Sequence, residues 1–180
     1  MRACERFCDP QDGAIAALTL HGDWILETEN VWDYPRPPRL ERVTERLAVV
    51  FAGDLIADTR GGYRVLETSH APTYYLPRTD ILAGTLATNA QRSMCEWKGE
   101  ARYFDVVHLG RAAPAAAGTY ETPVEDFNAI ASFVAFYAEP MDACYVGEEL
   151  VTPQSGNFYG GWVTKNLVGP IKGATGTTHW

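Results

Sequence analysis

Hydrophobic and polar residues alternate along much of the chain with a period of two, the pattern of half-buried β-strands. Residues 47–51, Leu-Ala-Val-Val-Phe, precede Ala-Gly-Asp and the apolar residues 55–57, so we predict a hairpin whose glycine supplies the tight turn. The same criteria predict strands at 63–68, 73–76, 102–107, 112–120, 133–137 and 143–146. Short strands separated by turn residues favour an antiparallel sheet system over βαβ repeats.

One short helix is predicted after Thr122. Pro123 suits the first helical position, acidic residues follow it, and Phe127, Ile130 and Ala131 share one helical face. The predicted fold class is therefore mostly β: a small, bent antiparallel β-sheet system with one short helix and extended terminal arms.

The two ends of the chain differ from its middle. Three prolines within residues 35–38 exclude a helix there, and the segment after residue 150 combines glycines with aromatic residues. We divide the chain into an extended arm (1–45), a β domain (46–150) and a C-terminal strap (151–180). The strap is either packing over an apolar groove or a lid whose glycines approach a ligand. We expect both ends to be ordered, because they carry four large apolar rings, Trp24, Trp32, Trp162 and Trp180.

Composition and charge exclude several classes of function. The 180 residues carry a net charge of −8 with scattered basic residues, which argues against a nucleic-acid partner. No segment reaches the roughly 18 consecutive apolar residues of a membrane helix, so no membrane partner is expected. The first residues lack the apolar run of a secretory signal, which predicts a cytoplasmic protein.

Cysteine and histidine spacing predicts no metal and no cofactor. Cys4 and Cys8 are close in sequence, but no second pair of cysteines or histidines completes a structural zinc set around them, Cys95 or Cys144. Residues 169–175 lack the Gly-Lys-Ser/Thr ending of a phosphate-binding loop. We therefore expect reduced thiols and no bound zinc.

Four phrases of the sequence are specific in their order. They occupy residues 49–58 (VVFAGDLIAD), 65–77 (VLETSHAPTYYLP), 95–103 (CEWKGEARY) and 134–137 (VAFY). Together they resemble an uncharacterised family known as domain of unknown function 427, over roughly residues 46–146. The arm and strap look like extensions of longer members.

That resemblance implies a fold and little chemistry. It implies a bent, open β structure similar to the β-tent domains of methionine sulfoxide reductase B, without the two C-x-x-C zinc knuckles that many β-tent proteins carry. The family pattern usually has proline where Ala71 and Glu96 stand here, so those two turns are expected to differ. A shared fold does not supply a function.

Two candidate catalytic residues end a predicted strand. Glu67 and His70 enter the turn at Pro72, a place where functional groups are often displayed. A core-facing Glu67 would be a general acid or base with a raised pKa, and a solvated one would only cap the turn. His70 titrates near neutral pH.

The third candidate catalytic residue is Lys98, beside Trp97 in the turn before residues 101–107. A lysine there holds a carboxylate or phosphate, or forms a Schiff base if its pKa is lowered. Alternatively it is a surface lysine whose stem covers Trp97. A Cys95–histidine pair is a weaker nucleophile hypothesis, because the sequence shows no base or orienting amide for it.

Tyrosines are numerous in the β domain and suit a ligand pocket, since each has an apolar ring and a polar tip. The alternative explanation is the general preference of β-sheets for aromatic residues. Tyr74 and Tyr75 are consecutive and must point to opposite faces, so only one can line a given pocket. The predicted ligand-binding residues are Tyr75, Trp97, Tyr103, Tyr120 and Tyr137.

These residues predict one pocket for a small-molecule ligand. We expect a metal-free acid–base enzyme acting on a polar organic substrate by hydrolysis, isomerisation or cyclisation, with Glu67 as proton carrier and Lys98 as clamp. One alternative is a non-catalytic binding or sensing module. Another is a structural domain that forms a homodimer through its arm or strap.

Overall fold

The computed structural model describes residues 27–156 and 160–177. Within these ranges the chain forms short strands joined by turns and three short 3-10 helices, at Val31–Asp33, Arg78–Asp80 and Glu125–Ile130. The strands are β1 (Glu29–Asn30), β2 (Arg39–Arg42), β3 (Leu47–Phe51), β4 (Asp54–Thr59), β5 (Tyr63–Leu66), β6 (Thr73–Tyr75), β7 (Leu86–Cys95), β8 (Gly99–His108), β9 (Arg111–Thr119), β10 (Val134–Phe136), β11 (Ala143–Val146), β12 (Glu149–Leu150), β13 (Thr152–Pro153), β14 (Trp162–Val163) and β15 (Leu167–Val168).

These strands pair into small sheets, and none of the described sheets closes on itself. Antiparallel sheets have the strand orders β12-β11-β3-β4, β10-β9-β8-β7, β2-β5-β6 and β13-β14, while β1 and β15 pair in parallel. Reciprocal backbone hydrogen bonds between Leu76 and Val134 join the edge of the three-stranded sheet to β10. The mostly β fold of small antiparallel sheets predicted from the sequence is confirmed.

Gly53 lies in the tight turn of the β3–β4 hairpin, as the sequence predicted. Ala52 and Gly53 both have positive φ, +54° and +84°, and the Gly53 amide donates a 2.8 Å hydrogen bond to the Asp142 carboxylate. On the inner faces of these strands, Val49, Phe51 and Ile56 join the main hydrophobic core. The predicted hairpin is therefore present, and its first strand is buried at every position except Val50.

Strand β7, ten residues long, was not predicted from the sequence. It is the edge of its four-stranded sheet, and most of its ten residues are exposed or only half-buried. Its pairing with β8 shifts register between Asn89 and Arg92. Without a buried face and with an interrupted register, β7 has no hydrophobic alternation to detect.

The predicted helix is present as a 3-10 helix and starts later than expected. It spans Glu125–Ile130, and its buried residues are Phe127 and Ile130, whereas Ala131 is exposed. Its N-cap is Val124, without a side-chain hydrogen bond, so the proposed cap at Thr122 is wrong. Within the described ranges, no helix has the length and apolar character that crossing a membrane requires.

The described part of the arm packs on the β domain. Strand β2 pairs with β5, and the Arg64 guanidinium of β5 forms ion pairs of 2.9 Å with both Glu29 and Glu41. Tyr34 donates a 2.7 Å hydrogen bond to Glu29. Burial and this carboxylate both raise the pKa of the Tyr34 phenol, which therefore stays a donor.

The strap contributes to the main core through Trp162, whose side chain is fully buried. Its indole Nε1 donates a 2.9 Å hydrogen bond to the Phe136 carbonyl, and its ring lies 5.2 Å from that of Tyr74. Trp32 is 43% exposed and donates from Nε1 to the Pro170 carbonyl. Trp24 and Trp180 lie outside the described residues.

Candidate functional site

A cavity of about 430 Å³ lies between β5–β6, the β7–β8 hairpin and β9–β10, with three strap residues on its wall. We call it the tyrosine cavity. The structure brings together in its wall all eight residues that the sequence singled out: Glu67, His70, Tyr75, Trp97, Lys98, Tyr103, Tyr120 and Tyr137. Tyr74 points the other way, into the main core, as the alternation of a strand requires.

Lys98 occupies the turn between β7 and β8, and its side chain is buried at 8% exposure. Gly99, with φ +96°, lets the chain enter β8 directly after it. The Lys98 Nζ lies 5.6 Å from the ring centroid of Tyr120 and 6.0 Å from that of Phe127. Among the described residues it has no hydrogen bond and no ion pair.

The electrostatic balance around Lys98 is incomplete. Removing an ammonium from water costs several kcal/mol in a protein interior, whereas a desolvated cation–π contact returns about 2 kcal/mol. The rings of Tyr120 and Phe127 therefore offset only part of the cost. A negatively charged or strongly polar ligand atom beside the Lys98 Nζ would offset the rest.

Tyr120 stands next to this ammonium, and Tyr75 stands next to Tyr120. The ring centroids of Tyr75 and Tyr120 are 6.4 Å apart, and the rings are tilted by 48°. Burial raises the pKa of both phenols above the ordinary value of 10. Both therefore keep their protons at neutral pH and can donate hydrogen bonds into the cavity.

Further hydroxyl groups line the cavity. Ser93 and Tyr103 are hydrogen-bonded at 2.7 Å, and the phenol of Tyr137 lies close enough to Tyr103 to feel its charge. The ring of Tyr137 packs against Gly160, where an added Cβ would lie 3.8 Å from it. Burial raises the pKa of Tyr137, so its phenol keeps its proton at neutral pH.

Glu67 stands at the wall with a side chain 19% exposed, beside a residue of the arm. The Arg36 guanidinium lies 3.7 Å from Glu67, 3.0 Å from Glu96 and 5.9 Å from the ring centroid of Trp97. Within the described residues, Glu67 and Lys98 share the cavity but form no ion pair with each other. The Glu67 charge is instead balanced by Arg36.

His70 lies on the wall near Glu67, after Ser69, which has a φ of +66°. Its Nδ1 is 2.9 Å from the Thr68 carbonyl, which can only accept, so Nδ1 carries the proton and Nε2 the lone pair of the neutral ring. Burial lowers the pKa of His70, and the charges of Lys172 and Arg36 lower it further, although Thr68 and Glu67 oppose them. A neutral imidazole near pH 7 suits a general base.

This lowered pKa predicts a pH-dependent contribution to stability. The unfolded chain binds more protons than the folded protein between the lowered pKa of His70 and its ordinary value of 6.5. The stabilisation is complete above that ordinary value and is lost as the pH falls through the lowered one. We expect the free energy of unfolding to fall more steeply from pH 7 to pH 5 in the wild type than in His70→Asn, by urea denaturation. Equal slopes would contradict the burial of a neutral His70.

The strap covers the end of the cavity near His70. The buried Gln154 amide accepts from the Ala71 backbone N–H at 3.2 Å and donates to the Lys172 carbonyl at 2.9 Å. The next strand passes so close that a Cβ on Gly161 would stand 2.8 Å from the Ala71 carbonyl oxygen. The strap is thus ordered here by hydrogen bonds to the family phrase at 65–77.

Sequence reasoning missed the site residues that come from the arm and the strap. Arg36, Gln154 and Lys172 are far in sequence from the residues they meet, and nothing in their local pattern marks them. Ser93 was missed with strand β7. Cys95 does line the cavity and is half-buried.

Metal ligands are not assembled in the part of the chain that the structure describes. No three histidine, cysteine or acidic side chains there are arranged to hold an ion. Cys95 and Cys144 are both free thiols, and burial raises the pKa of Cys144. Cys4 and Cys8, which entered the zinc argument, lie outside the described residues, as do His21 and His179.

Fold and cavity together define a mostly β domain with a tyrosine-walled cavity. The chain belongs to the family described as Domain of unknown function (DUF427), whose model matches residues 39–147. The resemblance seen in the sequence is thereby confirmed. All eight residues singled out above lie within the matched range, and Gln154, Gly160 and Lys172 lie beyond it. No curated protein matches the chain in sequence.

Proposed function

We propose that this protein binds a small polar organic molecule in the tyrosine cavity and catalyses an acid–base reaction on it. The observation that carries the proposal is the Lys98 ammonium, buried in the cavity wall without an anionic partner among the described residues. Lys98 clamps a negatively charged or carbonyl oxygen of the substrate. We also propose that the protein is cytoplasmic, a location that would keep the Cys95 thiol reduced.

His70 and Glu67 are the proton carriers of this reaction. The neutral His70 imidazole takes a proton at Nε2, and Glu67 and Arg36 lie close enough to influence its charge. Suitable reactions are hydrolysis, isomerisation or cyclisation, because each requires proton transfer next to a polarised oxygen. Tyr103 and Tyr137 line the same cavity and orient the substrate.

A non-catalytic binding or sensing module is the second candidate. It is favoured by the Arg36–Glu67 contact, since a carboxylate engaged by a guanidinium is a poor base. In this case the aromatic wall serves recognition alone. The third candidate, a structural dimerisation domain, has no use for a cavity of about 430 Å³ left open between the sheets.

The proposal is tested by native mass spectrometry after incubation with a deproteinised cell extract. We expect an adduct of a small organic molecule that is released on denaturation. Ala135→Leu, which adds a side chain to the cavity wall, should abolish the adduct, whereas Ala112→Leu on the exposed face of β9 should retain it. Melting temperatures establish that both variants fold. Absence of any adduct, or an adduct that survives Ala135→Leu, would refute the proposal.

A further inference from the structure

Three polar groups of the tyrosine cavity have no hydrogen bond within the described part of the chain. One is the indole Nε1 of Trp97, which is fully buried. The others are the Nζ of Lys98, a residue that is 8% exposed, and the hydroxyl of Tyr75, a residue that is 3% exposed. All three residues line the cavity. Donors held away from water without acceptors are costly, so their presence in one cavity indicates that a ligand supplies acceptors.

The groups around these donors cannot supply that acceptor charge. Tyr75 and Tyr120 are phenols whose burial raises their pKa, so they contribute protons rather than negative charge. The carboxylates of the wall, Glu67 and Glu96, both lie within 3.7 Å of the Arg36 guanidinium. The region near Lys98 is therefore a cluster of donors with one positive charge.

The shape of the wall restricts the body of the ligand. The rings of Tyr75, Tyr103, Tyr120, Tyr137 and Trp97 line a cavity of about 430 Å³, within the usual range for small organic ligands. Aromatic walls favour flat, unsaturated groups, which pack on ring faces or edges. A phosphate group is a poorer match, because the lining contains no arginine that could bind it through two parallel hydrogen bonds.

We propose that the ligand is a small planar organic monocarboxylate whose carboxylate binds the Lys98 ammonium and accepts a hydrogen bond from the Tyr120 hydroxyl. This inference rests on the proposed function and specifies its substrate class. The aromatic or conjugated body of the acid packs on the remaining rings of the wall, those of Tyr75, Tyr103, Tyr137 and Trp97.

Benzoate and 2-naphthoate, each paired with its neutral amide of nearly identical shape, are the probes that test this inference. Their affinities are measured by isothermal titration calorimetry at pH 7.5. Because a hydrogen bond to a charged group is worth more than one to a neutral group, we expect each acid to bind at least about ten-fold more tightly than its amide. Tyr120→Phe should reduce the affinity for the acids more than for the amides.

Substitution of Lys98 separates charge recognition from a merely structural role. Lys98→Met should lower the affinity for the acids to that of the amides and leave the amides nearly unchanged. Lys98→Arg should retain the preference for the acids. Lys165→Met, which removes an exposed lysine of the strap, should bind all four probes as the wild type does. Equal loss of acids and amides in Lys98→Met would overturn the inference.

Failure of the inference is distinguishable from failure of the proposed function. If acids and amides bind equally and both are lost in Ala135→Leu, the cavity binds small molecules but the carboxylate assignment is wrong. If benzaldehyde with cyanoborohydride gives a reduced secondary amine at Lys98 while benzoate does not bind, the ligand is a carbonyl compound. If no probe binds but the extract gives an adduct that Ala135→Leu abolishes, the inference is overturned and the proposed function stands; if the extract gives no adduct either, both are overturned.

Discussion

Replacing Trp162 with alanine is expected to lower the free energy of unfolding by about 3–5 kcal/mol, the usual cost of deleting a large aromatic side chain from a core. Trp162 is fully buried although it lies in the strap. The substitution leaves a void next to the Tyr74 ring. It also removes the hydrogen bond that the Trp162 Nε1 donates to the Phe136 carbonyl. The Trp162 backbone amide donates a hydrogen bond to the Pro72 carbonyl, so removal of the indole ring should also loosen the turn that carries His70.

Urea denaturation measures this change, with Val168→Ala as the control. Val168 is a hydrophobic residue of the same strap, but it is 44% exposed, so its replacement should cost less than about 0.5 kcal/mol. The Trp162→Ala protein should also melt at a lower temperature. Equal losses for the two variants would show that the strap is not part of the core.

The β3–β4 hairpin and the strands that carry the tyrosines could be predicted, because short stretches of neighbouring residues determine them. A glycine with positive φ at residue 53 and an apolar strand at residues 47–51 both depend on a few neighbouring residues. The same is true of the opposite orientation of Tyr74 and Tyr75. Strand β7 could not be predicted, because its pairing with β8 does not depend on a buried face of its own.

The helix near Phe127 was predicted in position but not in its details. The spacing of Phe127 and Ile130, three residues apart, fits a 3-10 turn as well as an α-helix, since side chains at i and i+3 lie on one face in both. Thr122 was expected to cap it because threonine and the following proline are common at helix starts. Tertiary pairing overrides this preference, as the Val124 amide donates to the Lys98 carbonyl.

Eight residues of the candidate site could be predicted from the sequence, but their contacts could not. Glu67 and Lys98 were selected because each stands at the end of a strand, and such ends converge in a bent sheet. Their charge partners depend on how the arm folds back, which brings Arg36 to Glu67 and Glu96. No local pattern near residue 36 encodes that meeting, and the same holds for Gln154 in the strap.

Lys98→Met is expected to change the free energy of unfolding by less than about 1 kcal/mol while abolishing ligand binding in the tyrosine cavity. Methionine has a similar stem and fills the same space between Tyr120 and Phe127. The variant loses the cation–π contacts, but it also loses the cost of holding an ammonium away from water, and the two effects oppose each other. A structural lysine would behave differently, because removing one partner of a buried ion pair typically costs 3–5 kcal/mol.

Chemical denaturation of the ligand-free protein and native mass spectrometry of the extract-treated protein measure the two effects separately. Glu67→Gln should likewise leave stability nearly unchanged, since Arg36 keeps its contact with Glu96. Lys165→Met is the matched control and should alter neither quantity. A loss of several kcal/mol in Lys98→Met would instead assign Lys98 to the fold. If Lys98→Met alters neither the stability nor ligand binding, Lys98 is not part of the binding site.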